Sequence, residues 1–92
     1  MNRMDAAIKI KKFLANRRYV FFNKYPDPKK QQIILNAENA LPVMKLIPKN
    51  KLSAFLGFFA DKYILPLIPS EKSRYKQNFE QLYHELKNPT IQ

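Results

Sequence analysis

Tyr75-Lys76-Gln77-Asn78-Phe79-Glu80-Gln81-Leu82-Tyr83-His84-Glu85-Leu86 is the stretch that decides the fold class. Its apolar members Tyr75, Phe79, Leu82, Tyr83 and Leu86 fall three or four residues apart, the spacing that lines up one side of an α-helix. Ser73, Lys76, Gln77, Glu80, Gln81 and His84 fill the opposite side. Ser70 is suited to cap this helix, and Glu71 would sit in its first turn, where the helix dipole favours an anion. Asn88-Pro89 supplies the stop signal. One apolar side and one wet side predict an outer helix resting on a core.

Working back along the chain, Leu65-Pro66-Leu67-Ile68-Pro69 reads as an extended apolar connector, because a residue before proline is pushed out of the helical region. Ahead of it, residues 51–65 predict a helix capped by Asn50. Leu52, Phe55, Leu56, Phe59 and Tyr63 make one face, and Phe58, Ala60 and Ile64 spread apolar surface further round. Such a helix is expected at the centre, packed by its neighbours. Gly57, the sole glycine, reads as a small residue allowing close helix approach. Residues 42–47, bounded by Pro42 and Pro48, predict a short helix. Before them Asp27-Pro28 is a strong start signal: the carboxylate accepts from free backbone amides, and proline suits the first helical position. The helix that follows carries Ile33, Ile34, Ala37 and Leu41 inward and ends or kinks at Pro42.

The first helix is expected over residues 4–22. Ala6, Ile10, Phe13, Leu14 and Phe21 form one apolar stripe, and Met4, Ile8, Ala15, Tyr19 and Phe22 a second, with Lys11 and Arg18 between them. Two stripes predict a helix sandwiched between neighbours; the alternative is that one stripe meets a partner. One glycine and seven prolines in 92 residues agree with helices punctuated by proline. The expected architecture is all-α: a compact bundle of four to five helices with proline-punctuated connections, forming one domain over residues 1–92.

Charge is the strongest functional signal. The formal net charge is +10, and nine of the seventeen Lys and Arg fall within residues 1–30, against two of the seven acids. A field of this sign draws phosphates or acidic surfaces. With no cysteine, disulfides, thiolate metal sites and Cys nucleophiles are excluded. The uncharged stretches are far shorter than the ~20 residues that a membrane span requires. Lysines at 9, 11 and 12 interrupt any secretory apolar core, so a cytoplasmic location is expected.

Catalysis is not expected. His84 lies on the polar side of the last helix, where Glu80 can pair with it but no walls exclude water. The seven acids are scattered without ligand spacing, so no metal site is expected. No phosphate-cradling glycine loop, cofactor motif or small-molecule substrate is indicated.

Recognition chemistry concentrates in Arg17-Arg18-Tyr19-Val20-Phe21-Phe22-Asn23-Lys24-Tyr25, followed by Lys29 and Lys30. Cations neutralise phosphates, aromatic faces stack on unpaired bases, and the amide-rich start of the second helix is a further phosphate site. Lys9, Lys12, Arg18, Lys24, Lys29 and Lys30 are therefore the candidate anion-binding residues, and nucleic acid is the first expected partner. Phe21 and Phe22 also suit the core, and Arg17 can lay its stem along apolar surface. A protein partner is the second expectation, through the outer stripe of the first helix or the connector. An anionic membrane surface is the third. Tyr19, Phe22, Phe58 and Leu67 are the candidate partner or membrane contacts.

Overall fold

The computed structural model describes residues 1–70 and 74–91. The element order is α1 (Arg3–Arg18), α2 (Pro28–Ala40), α3 (Lys49–Phe59) and α4 (Arg74–Lys87), joined by short non-α helical segments. All four helices surround one core, and no strand occurs among the described residues. The stretch expected as a short helix is a 3₁₀ segment, Leu41–Leu46.

A proline follows each helix end, and at the first three the last turn departs from the α-helix. α1 widens into a π-helical segment, Tyr19–Lys24, just before Pro26, and α3 widens into Ala60–Ile64 just before Pro66. A proline lacks the N–H that would continue the ladder and clashes with the carbonyl four residues earlier. The carbonyls released at the end of α1 are taken up at once: Tyr25 N–H donates to Val20 O at 2.7 Å, and Asp27 N–H and the Gln31 side chain donate to Phe21 O at 3.2 and 2.9 Å. α2 meets Pro42 differently and tightens into the 3₁₀ arm.

The start signals divide. Asp27 caps α2, its carboxylate accepting from Lys29 and Lys30 N–H at 3.0 and 3.2 Å, and Pro28 opens the helix. α1 begins one residue earlier than expected because Asn2 caps it, accepting from Asp5 N–H at 2.8 Å. Asn50 is not a cap: α3 starts from Pro48, whose extended backbone and carbonyl, bonded by Lys51 N–H, replace a side-chain cap. The capping roles assigned to Ser70 and Glu71 depend on residues 71–73, outside the described residues.

Packing follows the first apolar stripe of α1. Ala6, Ile10, Phe13 and Leu14 are buried with Ile34 and Ala37 of α2, with Leu52, Leu56 and Phe59 of α3, and with Leu82 and Leu86 of α4. Phe13 meets Phe79 edge to face at 4.8 Å, and Phe59 meets Tyr63 likewise. α3 and its π extension touch both α2 and α4, the central position expected of them. On α4, Tyr75 lies outside, 58% exposed and stacked on Phe79.

Three expectations change. The connector is not extended throughout, since Leu65–Leu67 is a 3₁₀ turn that seats Leu67 in the core before Ile68 turns extended. Gly57 mediates no close approach, because a Cβ built there meets nothing within 4 Å. α1 is not sandwiched either: Met4, Ile8 and Tyr19 of its second stripe are 71%, 45% and 59% exposed.

Candidate functional site

The uncovered side of α1 opens onto a groove of about 740 Å³. Along α1 the wall is Met4, Ala7, Lys11, Leu14, Ala15 and Arg18. Residues 4, 7, 11, 14 and 18 alternate steps of three and four, the spacing of a coiled-coil seam, so they face one direction. The opposite wall is the end of α2 and its 3₁₀ arm, contributing Glu38, Leu41, Pro42, Met44 and Lys45. Leu14, Leu41 and Met44 are buried and make an apolar floor, and Ala7 and Ala15 are too short to fill the space above it.

Two clamps tie the walls together at their ends. At one end the Arg3 guanidinium donates to Met44 O and to Ile47 O, the second bond at 2.7 Å. At the other end Arg18 grips Glu38 with two hydrogen bonds of 2.9 and 2.8 Å. That fork–fork contact holds the Glu38 carboxyl below its usual range and raises Arg18 further. Arg18 also covers the Phe22 ring at 4.5 Å. Between the clamps Lys11 and Lys45 make no hydrogen bond or ion pair among the described residues. The rim therefore carries four cations against one carboxylate, itself already engaged.

The six candidate cations do not form one surface. Lys9 points to α4, bound to Glu85 at 2.6 Å, and Lys12 lies on the same side, beside Phe13 and Phe79. Lys30 is fixed on Pro66 O at 2.6 Å, and Arg18 belongs to the groove. Lys24 and Lys29 remain at the turn between α1 and α2, Lys24 over the exposed Tyr25 ring at 5.4 Å. The start of α2 offers no free phosphate cradle, because Asp27 already accepts from its amides.

The candidate contact residues separate as well. Tyr19 is exposed and Phe22 half-buried beneath Arg18. Phe58 is 56% exposed on α3 with Lys62 over its ring at 5.3 Å, whereas Leu67, 1% exposed, belongs to the core and offers no surface contact.

Sequence reasoning missed Arg3, Lys11 and Lys45 as rim residues and Ala7, Leu41, Pro42 and Met44 as lining. The second stripe of α1 was the available signal. Its opposite wall arises only because the chain returns along α1 after Pro42. The expected Glu80–His84 pair is not formed; His84 lies edge-on to Tyr83 at 5.4 Å. Among the described residues no three His, Asp or Glu side chains gather to hold a metal ion, and no helix is long and apolar enough to cross a membrane. No family model, curated protein or solved structure matches the chain.

Proposed function

We propose that this chain is a non-catalytic binding module for an anionic macromolecule, seated along the groove between α1 and the α2–3₁₀ arm. One juxtaposition carries the reading: an apolar floor of Leu14, Leu41 and Met44 beneath a rim of Arg3, Lys11, Arg18 and Lys45. Apolar floors supply affinity by removing surface from water, and charged rims supply steering and partner choice. The sole histidine stands exposed on α4, outside the groove, which supports binding over chemistry.

The minimal probe combines an apolar body with one anionic head. Anilinonaphthalene sulfonate should bind the folded protein saturably at one site, with enhanced fluorescence and an unchanged circular dichroism spectrum. The double substitution K11E/K45E should weaken it roughly tenfold, the size expected when paired rim charges are reversed. Absence of saturable binding, or binding indifferent to that variant, would reject the groove as the site.

A second reading retains nucleic acid at the α1–α2 turn. It rests on Lys24 and Lys29, which have no ion-pair partner among the described residues, and on Tyr25, which is 64% exposed with Lys24 over its ring. Labelled oligothymidylate should then bind with a steep salt dependence, and K24E/K29E should abolish that binding. Retention of affinity in that variant rejects the turn as a nucleic-acid site.

A further inference from the structure

We infer that the occupant of the groove is an acidic amphipathic α-helix of a protein partner, laid along α1 with its apolar stripe on the floor. This rests on the groove being the binding site and adds the chemistry and shape of what fills it.

Shape argues first. The α1 wall presents Met4, Ala7, Lys11, Leu14 and Arg18 at coiled-coil spacing, and a surface built in that register accepts side chains from a third helix. The wall from Met4 to Arg18 is roughly 21 Å long at 1.5 Å per residue, about four turns of a partner helix. Alanines at 7 and 15 keep the α1 backbone close to the occupant, leaving room for its larger side chains. Exposed Met4 and Ile8 extend the apolar contact beyond the floor, and Val43, 43% exposed, lies on the 3₁₀ arm of the opposite wall. A helix-in-groove complex uses apolar anchors at such three- and four-residue steps.

Charge argues second. Lys11 stands on the α1 wall and Lys45 on the facing wall, so carboxylates on both flanks of an apolar stripe would each meet a cation. Arg18 is held by Glu38, so Lys11 and Lys45 are the rim cations left to an occupant between the clamps.

The same features disfavour other occupants. Phosphates of nucleic acid gain nothing from a floor of Leu and Met, since their affinity comes from counterion release and base stacking. A bilayer is entered by a protruding apolar face, whereas here the apolar surface is recessed between two walls.

The test uses a designed peptide of about fourteen residues, four helical turns. It carries leucine at three- and four-residue steps on one side and glutamate on both flanks. Controls are a scrambled peptide of the same composition, oligothymidylate, and vesicles containing anionic phospholipid. The striped peptide should bind one to one, gain helicity on binding and displace anilinonaphthalene sulfonate. A15W, which fills the groove, should remove its binding, and K11E should weaken it several-fold. Retention of native circular dichroism qualifies each variant.

Equal binding by the scrambled peptide would overturn the inference, reducing recognition to charge. Displacement of the dye by oligothymidylate or vesicles but not by the striped peptide would also overturn it, while leaving the groove as a site. Failure of the dye itself to bind would remove the groove, a result distinguishable from failure of the peptide alone.

Discussion

Ala6 and Ala15 stand on the same helix and meet opposite fates: Ala6 has no solvent exposure and Ala15 lies open at the edge of the groove. The difference belongs to the two sides of α1. On the α4 side, the Phe13–Phe79 contact, the Lys9–Glu85 pair and the Arg17 guanidinium stacked on Phe79 bridge the helices and leave a smaller hollow of about 410 Å³ between them. On the α2-arm side, Leu14, Leu41 and Met44 form a buried floor, the Arg3 and Arg18 clamps tie the ends, and the space above the floor is a larger groove of about 740 Å³. Both sides carry apolar residues and cations. What separates them is side-chain volume: aromatic rings take up much of one side, and alanines leave the larger opening on the other. Composition alone therefore cannot tell a packing face from a binding face on this helix.

The largest break in this comparison is Phe13→Ala. Phe13 is 2% exposed and holds α4 through Phe79, so denaturant unfolding should show a loss of about 3–5 kcal/mol. A loss below about 1 kcal/mol would mean that the Phe13–Phe79 contact does not hold α4 in place. Ala6→Leu comes next. With no free space around a fully buried alanine, added methyl groups should cost about 1–3 kcal/mol by the same measurement.

Arg17 sharpens the contrast further. It is 6% exposed, with its guanidinium 4.8 Å from the Phe79 ring centroid and 5.6 Å from that of Phe21, and Asn16 Oδ1 accepts from it twice. Burial lowers its pKa without a paired carboxylate among the described residues to restore it. Lysine keeps the charge but loses the planar fork and the stacking, so Arg17→Lys should destabilise by about 1–2 kcal/mol. Stability equal to the parent would show that the charge alone, and not the stacked plane, is what this side of α1 uses.

The sequence made much of this arrangement readable, and the reasons are specific. Ala6, Ile10, Phe13 and Leu14 obey the helical period because one face meets a core, and Asp27-Pro28 announced α2 because capping is local chemistry. The groove was not readable, because it depends on where the chain goes after Pro42. Lys11 looked like a spacer between two stripes, and only the returning 3₁₀ arm makes it a rim residue. Lys9 and Arg18 read as free cations because Glu85 and Glu38, far along the chain, could not be matched to them without the fold. The π-helical ends escaped for a related reason: proline marks a stop but does not say whether the preceding turn widens, as before Pro26, or tightens, as at Pro42.

The clamp on the open side should have a smaller effect on stability than any of the core changes. Arg18 holds the Glu38 carboxyl below its ordinary range, and Lys87 and then Tyr83 do the same for Asp61 between α3 and α4. A carboxyl whose folded pKa is depressed contributes stability that is complete above its unfolded value, about 4, and is lost as pH falls below it. Melting temperature should therefore decline as pH is lowered through that range. Glu38→Gln should remove part of the decline, and salt should shrink the difference between the two proteins, as for any exposed pair. A decline identical in E38Q would show that Glu38 bears no share of it.

Ala15→Trp is expected to have the smallest effect on stability, and for that reason it tests the comparison most directly. The side chain at position 15 lines the groove and meets open space there, so the indole needs no rearrangement of the core. Its burial against Leu14 and Leu41 would offset the modest helix propensity of tryptophan. Unfolding free energy should stay within about 0.5 kcal/mol of the parent while dye and peptide binding disappear. Loss of more than about 1 kcal/mol would mean that the α2 arm lies down on α1 in solution and that Ala15 is as enclosed as Ala6. The two sides of the helix would then be alike, and an open groove could no longer account for binding.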